Sequence, residues 1–98
     1  MTQPKIDIYY SATCPLCHKA MAHFDAEGLN YDRHEVVWDD AADAFQDSDA
    51  SRELYARAGY KPDFVPQIFV GDTHIAGWRK LEPMIASGEF AALVQSLA

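Results

Sequence analysis

The stretch Ile8-Tyr9-Tyr10-Ser11-Ala12-Thr13-Cys14-Pro15-Leu16-Cys17-His18 decides how this sequence is interpreted. It begins in a short β-branched and aromatic run, residues 5–10, which is typical of a strand. The turn that follows ends in a capping residue type at Thr13, and Pro15 suits the first position of a helix, where its missing N–H costs nothing. Apolar residues then recur at helical spacing until Gly28, where the sequence predicts that the helix ends.

The rest of the chain continues the alternation of strand and helix. The further predicted elements are a strand at 31–37, a polar and mostly helical crossover at 39–59 that breaks near 47–49, strands at 67–70 and 74–76, and helices at 79–87 and 89–97. Because the first three strands are joined through helices, they form a parallel or mixed sheet, and the last two form a hairpin. Ligands of such sheets bind at the carboxyl ends of strands, and Cys14 lies just past the first strand.

The composition limits the classes of function. The chain has 98 residues, which predicts one domain over 1–98, and 15 acidic residues against eight basic ones give a formal charge of −7. This balance disfavours binding to nucleic acid or to an anionic membrane. Ten of the acidic residues lie in 25–53. We interpret that segment as a solvated face, with docking of a reductase that has a basic surface as the alternative.

The ends of the sequence and the cysteine count point to a compartment. The first residues lack the apolar core of a signal peptide, and no apolar run approaches the ~18–20 residues that span a bilayer. We therefore expect a cytoplasmic protein without a membrane partner. We also expect a monomer. In that reducing compartment a close cysteine pair is typically catalytic or metal-binding rather than structural.

The two cysteines, Cys14 and Cys17, are separated by two residues across the predicted start of the helix. A first helical turn brings their Cα atoms within the about 4.4–6.8 Å that a disulfide needs, so the pair can cycle between dithiol and disulfide. Unpaired N–H groups and the helix dipole stabilise an anion at the first position, which is how such motifs lower cysteine pKa values. We predict that Cys14 is the attacking thiolate and that Cys17 resolves the mixed disulfide.

Three further interpretations of the cysteines stay open. In the first interpretation both cysteines are simply core residues, although Cys14 follows a turn and precedes a proline. A zinc site needs more ligands than one Cys-x-x-Cys pair, and the sequence has no second pair. The run Cys14 to His18 also matches the C-x-x-C-H pattern of haem attachment, but that chemistry needs export and a helical wrap around the haem. We predict no metal site.

Three stretches, taken together, resemble the glutaredoxin family. They are residues 8–20, residues 64–70 (similar to the family's Thr-Val-Pro-Gln-x-Phe strand) and residues 74–78 (similar to its Ile-Gly-Gly turn), in order over nearly the whole chain. The resemblance implies an α/β thioredoxin-like fold, with a four-stranded mixed sheet and helices on both faces. It also implies a thiol–disulfide oxidoreductase that reduces protein disulfides or glutathionyl mixed disulfides through Cys14 and Cys17.

The resemblance further implies a set of site residues and partners. Cys14 and Cys17 would form the redox-active disulfide, glutathione would be the reducing co-substrate, and no cofactor would be bound. The bond before Pro66 would be cis, leaving the backbone of Val65 as a free edge for an extended thiol peptide. The implied substrate- and glutathione-binding residues are Ser11, Thr13, Leu16, Val65, Pro66, Gly77, Trp78 and Arg79.

The sequence departs from the family pattern around that site. The departures are Ser11 for a basic residue, Leu16 for Tyr, Phe64 for Thr, and Arg79-Lys80 where a carboxylate usually binds the α-amino group of glutathione. Cations cannot pair with an ammonium, although they can pair with a carboxylate. Recharging by thioredoxin reductase rather than by glutathione is therefore a second hypothesis. Two more hypotheses are a glutathione-dependent iron–sulfur cluster carrier and a non-catalytic interaction domain.

Overall fold

The computed structural model describes residues 5–97. The elements are β1 (Ile6–Tyr10), α1 (Pro15–Ala26), β2 (Asp32–Glu35), β3 (Trp38–Asp39), β4 (Ala44–Phe45), α2 (Asp49–Ala58), β5 (Gln67–Val70), β6 (Thr73–Ala76), α3 (Trp78–Ser87) and α4 (Glu89–Ser96). The main sheet has the strand order β2-β1-β5-β6. β1 pairs parallel with β2 and antiparallel with β5, and β5 pairs antiparallel with β6. The predicted four-stranded mixed sheet is confirmed.

The alternation of side chains along β1 divides the core between the two faces of the sheet. Ile6 and Ile8 are buried in a cluster with side chains of α1, α3 and α4, including Phe24. Tyr9 faces the other way and packs in a second cluster with Leu54 of α2. Each fully buried large apolar side chain contributes about 1.5–3 kcal/mol, so both helical layers are held by the sheet between them. Helices on both faces agree with the prediction.

The segment between β2 and α2 differs from the prediction. The sequence predicts a mostly helical crossover from residue 39, whereas residues 38–45 form the short β3–β4 hairpin. Trp38 is paired with Phe45, and their ring centroids are 5.1 Å apart. The Asp39 carboxylate accepts hydrogen bonds from the backbone N–H groups of residues 41 and 42. Such local bonds satisfy the backbone in a turn and compete with a helix.

Two boundaries follow from local hydrogen bonding. α2 begins after Ser48, close to the predicted break, because Ser48 and Ser51 form a reciprocal capping box. β2 is shorter than the predicted strand at 31–37, although the backbone N–H of Val36 still donates to the carbonyl of Tyr10. Among the helices of residues 5–97, none combines the length and the apolar composition needed to cross a bilayer.

The sheet topology brings four segments to one edge. β1 and β2 run parallel and end there. β5 begins at the same edge and β6 ends there, because Gln67 pairs with both Tyr9 and Ala76. We call this region the thiol edge and define it as residues 11–17, 36–37, 64–66 and 77–80.

Candidate active site

Cys14 is the N-cap residue of α1. Its backbone is extended (φ −92°, ψ 110°), and its Sγ accepts a hydrogen bond from the backbone N–H of Cys17 at 3.2 Å. The sulfur thus has the role that a Ser or Asp oxygen usually has at this position. The cap is therefore Cys14, not Thr13 as the sequence suggests. A sulfur held against the unpaired N–H groups of a helix N-terminus is stabilised when it carries a negative charge.

The half-buried Cys14 also faces the Val65 backbone. Its Sγ donates to the carbonyl oxygen of Val65 at 3.8 Å. The Val65–Pro66 peptide bond is cis, as the resemblance implies. No backbone hydrogen bond joins Val65 to another residue within the described part of the chain. Its N–H is therefore available to an extended peptide beside the sulfur, and its carbonyl becomes available once Cys14 no longer donates a proton to it.

Cys17 has a different environment from Cys14. It is fully buried in the core cluster beneath α1. Burial, followed by the hydrogen bond to Cys14 and the charge of Cys14, raises the pKa of Cys17 to about 12, although the backbone at Ser11 acts in the opposite direction. Both thiols are free in this structure. Cys17 is therefore protonated at neutral pH, and the influence of the Cys14 charge ends once Cys14 is bonded to another sulfur.

The loop that leads into Cys14 is held by hydrogen bonds within residues 11–18. The backbone N–H of Cys14 donates to the carbonyl of Ser11 at 3.1 Å. The imidazole Nε2 of His18 lies 2.7 Å from the carbonyl oxygen of Ala12, to which it donates. Ser11 Oγ and Thr13 Oγ1 are 3.4 Å apart. His18, the histidine of the C-x-x-C-H pattern, thus has a local structural role, because its ring is hydrogen-bonded to the turn that precedes Cys14.

Gly77 and Trp78 form the other side of the thiol edge. Gly77 has φ 89° and ψ 166°, a conformation that is essentially restricted to glycine. A Cβ there would lie 2.8 Å from the Phe64 ring, so this ring covers the Gly77 backbone. Trp78 is half-buried against the core cluster, its Nε1 donates to Glu82 at 3.2 Å, and Lys19 Nζ is 5.4 Å from its ring centroid.

The structure brings every predicted site residue to the thiol edge. Leu16, Thr13 and Arg79 are exposed there, Ser11, Val65 and Trp78 are half-buried, and Pro66 and Gly77 are buried. Phe64 also belongs to this site, although the sequence indicates it only as a departure from the family pattern. An aromatic residue at the end of the polar run Lys61-Pro62-Asp63-Phe64 is the one signal that could have found it.

Two hydrogen-bonded polar residues, Gln67 and His74, support the 64–66 segment. Gln67 is fully buried, and its Nε2 donates to the carbonyl of Phe64 at 2.9 Å. The Nε2 of His74 in turn donates to Gln67 Oε1 at 2.7 Å. Burial and then the positive charge of Arg57 lower the pKa of His74, so this ring is neutral at pH 7. Both polar ends of Gln67 are thereby satisfied, as burial requires.

A buried ion pair lies on the α2 face of the sheet. Asp7, 1% exposed, accepts hydrogen bonds from Arg57 at 2.8 Å and from His34 at 2.9 Å. Burial raises the pKa of Asp7, but the hydrogen bonds from His34 and Arg57 outweigh it and hold the pKa below its usual value. This network contains no thiol, and we interpret it as structural.

The molecule also has a cavity away from the thiols. It measures about 270 Å³ and is lined by residues of α1, α3 and α4 and of the segment that follows α1: His23, Glu27, Leu29, Ile85, Phe90, Ala91, Val94 and Gln95. None of these side chains is a nucleophile for disulfide exchange, so this cavity is separate from the candidate site.

Among residues 5–97, no three His, Cys, Asp or Glu side chains are grouped so that they could hold a metal ion.

Comparison with known proteins identifies relatives of similar length. Residues 6–75 match the family model described as Glutaredoxin. A probable glutaredoxin of Synechocystis sp. is 30% identical over 92 residues, which cover 94% of each chain. Glutaredoxin 3 of Escherichia coli K12 is 29% identical over 92 residues, covering 92% of this chain and 96% of that one.

Solved glutaredoxin structures share the fold. The crystal structure of a buckwheat glutaredoxin–glutathione complex aligns with a TM-score of 0.71 at 22% identity, covering 96% of this chain and 79% of that one. The solution structure of a dithiolic glutaredoxin of Trypanosoma brucei brucei aligns with a TM-score of 0.69 at 25% identity, covering 93% and 87%. These likenesses confirm the thioredoxin-like fold. By its sequence match, the chain belongs to the glutaredoxin family of thiol–disulfide oxidoreductases.

Proposed function

We propose that this protein reduces protein disulfides and glutathionyl mixed disulfides by a dithiol mechanism, with Cys14 as the nucleophile and Cys17 as the resolving thiol. The observation that carries the proposal is the contrast between the two sulfurs. Cys14 caps α1, is half-exposed and accepts the Cys17 N–H, whereas Cys17 is buried and its pKa is raised to about 12. The contrast favours one order of attack, Cys14 first and Cys17 second.

The first step is the attack of the Cys14 thiolate on one sulfur of the substrate disulfide. A bond forms between Cys14 Sγ and that sulfur, the substrate S–S bond breaks, and the departing thiolate takes a proton from solvent. The bonded Cys14 sulfur no longer carries a charge that opposes ionisation of Cys17. The Cys17 thiol then loses its proton and attacks Cys14 Sγ. This forms the Cys14–Cys17 disulfide and releases the second substrate thiol, so two electrons have passed to the substrate.

Glutathione is the proposed reducing co-substrate. One glutathione thiolate opens the Cys14–Cys17 disulfide, and a second releases the resulting mixed disulfide as oxidised glutathione, which balances the two electrons. The exposed cations Arg79 and Lys80 fit the carboxylates of glutathione, and the Val65 backbone fits its peptide groups. The proposed contact residues are Ser11, Thr13, Leu16, Val65, Pro66, Gly77, Trp78 and Arg79.

The roles of the two cysteines are tested with Cys14→Ser and Cys17→Ser. In a coupled assay with glutathione and glutathione reductase, Cys14→Ser should abolish turnover of every disulfide substrate. Cys17→Ser should lose the reduction of intramolecular protein disulfides but keep the reduction of glutathionyl mixed disulfides, which needs only one protein thiol. Unchanged activity in Cys14→Ser would refute the proposed mechanism.

The reductant is tested separately in the wild-type protein. Turnover with glutathione and glutathione reductase supports the proposal. Turnover with thioredoxin reductase alone would replace glutathione as the reductant while leaving the dithiol mechanism intact. A coloured protein after anaerobic reconstitution with iron and sulfide would instead support a cluster carrier.

A further inference from the structure

Exposed apolar side chains are concentrated at the thiol edge. Leu16 is 43% exposed, and Val37 and Phe64 are each 46% exposed. Within residues 5–97, the two other large exposed hydrophobic residues lie elsewhere: Tyr60 is near His74, and Leu97 packs against Gly71 at the opposite end of β5. Single exposed apolar residues are ordinary, whereas a group of them around a reactive thiol marks a binding surface.

Within this group, contacts with Gly77 and Gln67 hold Phe64 in place. The edge of its ring lies against Gly77, and its backbone carbonyl is held by Gln67 at 2.9 Å. The next residue, Val65, has its carbonyl oxygen 3.8 Å from Cys14 Sγ. A group bonded to the Cys14 sulfur and paired with the Val65 backbone must therefore extend its neighbouring residue past the exposed part of the Phe64 ring.

The charges on the far side of Gly77 are positive. Arg79 and Lys80 are exposed in the first turn of α3, and Lys19 of α1 lies beside the Trp78 ring. The nearby carboxylate of Glu82 accepts the Trp78 Nε1–H. This side of the thiol edge is therefore complementary to an acidic group on the ligand.

We propose that Phe64 is a specificity-determining residue that selects extended polypeptides with an apolar residue next to their reactive cysteine and an acidic residue on its other side. The proposal rests on the dithiol function proposed above and names the preferred substrate class of that same site. Glutathione is γ-Glu-Cys-Gly, so the residue after its cysteine is glycine, which presents no apolar side chain to the Phe64 ring. The protein should therefore bind such polypeptide disulfides better than glutathionyl disulfides.

The test uses mixed disulfides with a common chromogenic leaving group, 2-nitro-5-thiobenzoate. Attack by Cys14 joins its sulfur to the peptide sulfur and releases the coloured anion, and Cys17 then releases the peptide thiol. The probes are a Glu-Cys-Leu peptide, a Glu-Cys-Ser peptide, a Lys-Cys-Leu peptide and glutathione itself, each as its nitrothiobenzoate disulfide. The measured quantity is kcat/KM from release of the anion, with a dithiol reductant recharging the protein.

For the wild-type protein we expect kcat/KM for the Glu-Cys-Leu probe to exceed that for Glu-Cys-Ser and for glutathione by about tenfold, the size of discrimination that a small apolar contact provides. The Lys-Cys-Leu probe should have a lower kcat/KM than Glu-Cys-Leu, with a difference that shrinks as salt is added. Phe64→Ala should remove the preference for leucine over serine. Phe64→Leu, which keeps an apolar side chain, should retain part of it.

Tyr60→Ala is the matched control, because Tyr60 is also an exposed aromatic residue but lies away from the thiol edge. It should leave every ratio unchanged. Equal kcat/KM for the leucine and serine probes in the wild-type protein, or a preference that persists in Phe64→Ala, would overturn the proposal. In either case continued release of the anion would show that disulfide exchange at Cys14 stands, and loss of peptide-thiol release in Cys17→Ser would test the second thiol. No release from any probe would count against the proposed function.

Discussion

Arg57→Leu tests whether the ion pair on the α2 face holds the sheet and α2 together. In the wild-type protein Arg57 Nη1 donates to the buried Asp7 at 2.8 Å, and Nη2 donates to the carbonyl of Gly71 at 3.2 Å. The guanidinium carbon also lies 4.3 Å from the centroid of the Phe69 ring. Leucine removes all three interactions and leaves the Asp7 carboxylate with His34 as its remaining hydrogen-bonded ionisable partner.

The expected loss in the free energy of unfolding is about 3–5 kcal/mol at pH 7, the cost of leaving a buried charge without its partner. A domain of this size has about 5–15 kcal/mol in total, so the variant should be close to unfolding. In the wild-type protein the pKa of Asp7 is lowered, so its contribution is present above the usual pKa of 3.8 and is lost as the pH falls through the folded value. In Arg57→Leu, burial should dominate and raise that pKa, so the difference between the two proteins should shrink as the pH falls toward about 4.5.

Urea unfolding of the reduced proteins, followed by circular dichroism at both pH values, measures these differences. Arg52→Leu is the matched control, because Arg52 also lies on α2 and also contacts two carboxylates, Asp47 and Asp49, but all three side chains are exposed. The control should change the unfolding midpoint little. A second comparison is Asp7→Asn combined with Arg57→Leu, which should be more stable than Arg57→Leu alone. A loss in Arg57→Leu no greater than that in Arg52→Leu would refute the role of the buried pair.

Three further predictions concern the thiol edge and its support. Gly77→Ala should destabilise the protein by about 1–3 kcal/mol in thermal unfolding, because its backbone conformation is restricted to glycine and its Cβ would meet the Phe64 ring. The control Gly59→Ala has a positive φ but open space around it, so a smaller loss is expected, and an equal loss would contradict the role of the ring. Gln67→Leu should raise KM for peptide disulfides several-fold in steady-state assays, with kcat changing less, because the Phe64 carbonyl loses its donor; an unchanged KM would count against this support. Burial raises the pKa of Cys17 to about 12, so the contribution of this thiol to the free energy of unfolding is present below the usual thiol pKa and is lost as the pH rises. In urea unfolding of the reduced proteins, the free energy of unfolding of the wild-type protein should therefore fall more steeply above pH ~9 than that of Cys17→Ala.

The elements that the sequence predicts correctly are those that local chemistry determines. Pro15 fixes the first turn of α1, Gly77 separates β6 from α3, and the β-branched and aromatic run at 67–70 forms β5. These signals act within a few residues, so a single sequence contains them. The strand, turn and helix around Cys14 follow for the same reason.

The elements that the sequence does not predict depend on partners distant in the chain. Trp38 and Phe45 pair in a hairpin because their rings pack against each other, and Phe45 also lies near Tyr55. The periodicity of apolar residues along the sequence does not predict this packing. Asp7 and Arg57 are 50 residues apart, and an acidic residue inside a predicted strand gives no indication of its partner. Tertiary contacts here override local preference.

The contact between Cys14 and Val65 depends on the same kind of long-range placement, and it explains why buried polar groups lie beneath the thiol edge. The two residues are 51 positions apart, and only the pairing of β1 with β5 brings them together. β5 starts with Gln67, which is buried and therefore must be fully hydrogen-bonded, and its two bonds run to His74 and to the Phe64 carbonyl. Apolar packing alone would leave that carbonyl without a donor and the 64–66 segment free to shift. Gln67, at the start of β5, thus holds the backbone that faces the sulfur. Burying its amide costs free energy, and its two hydrogen bonds offset that cost.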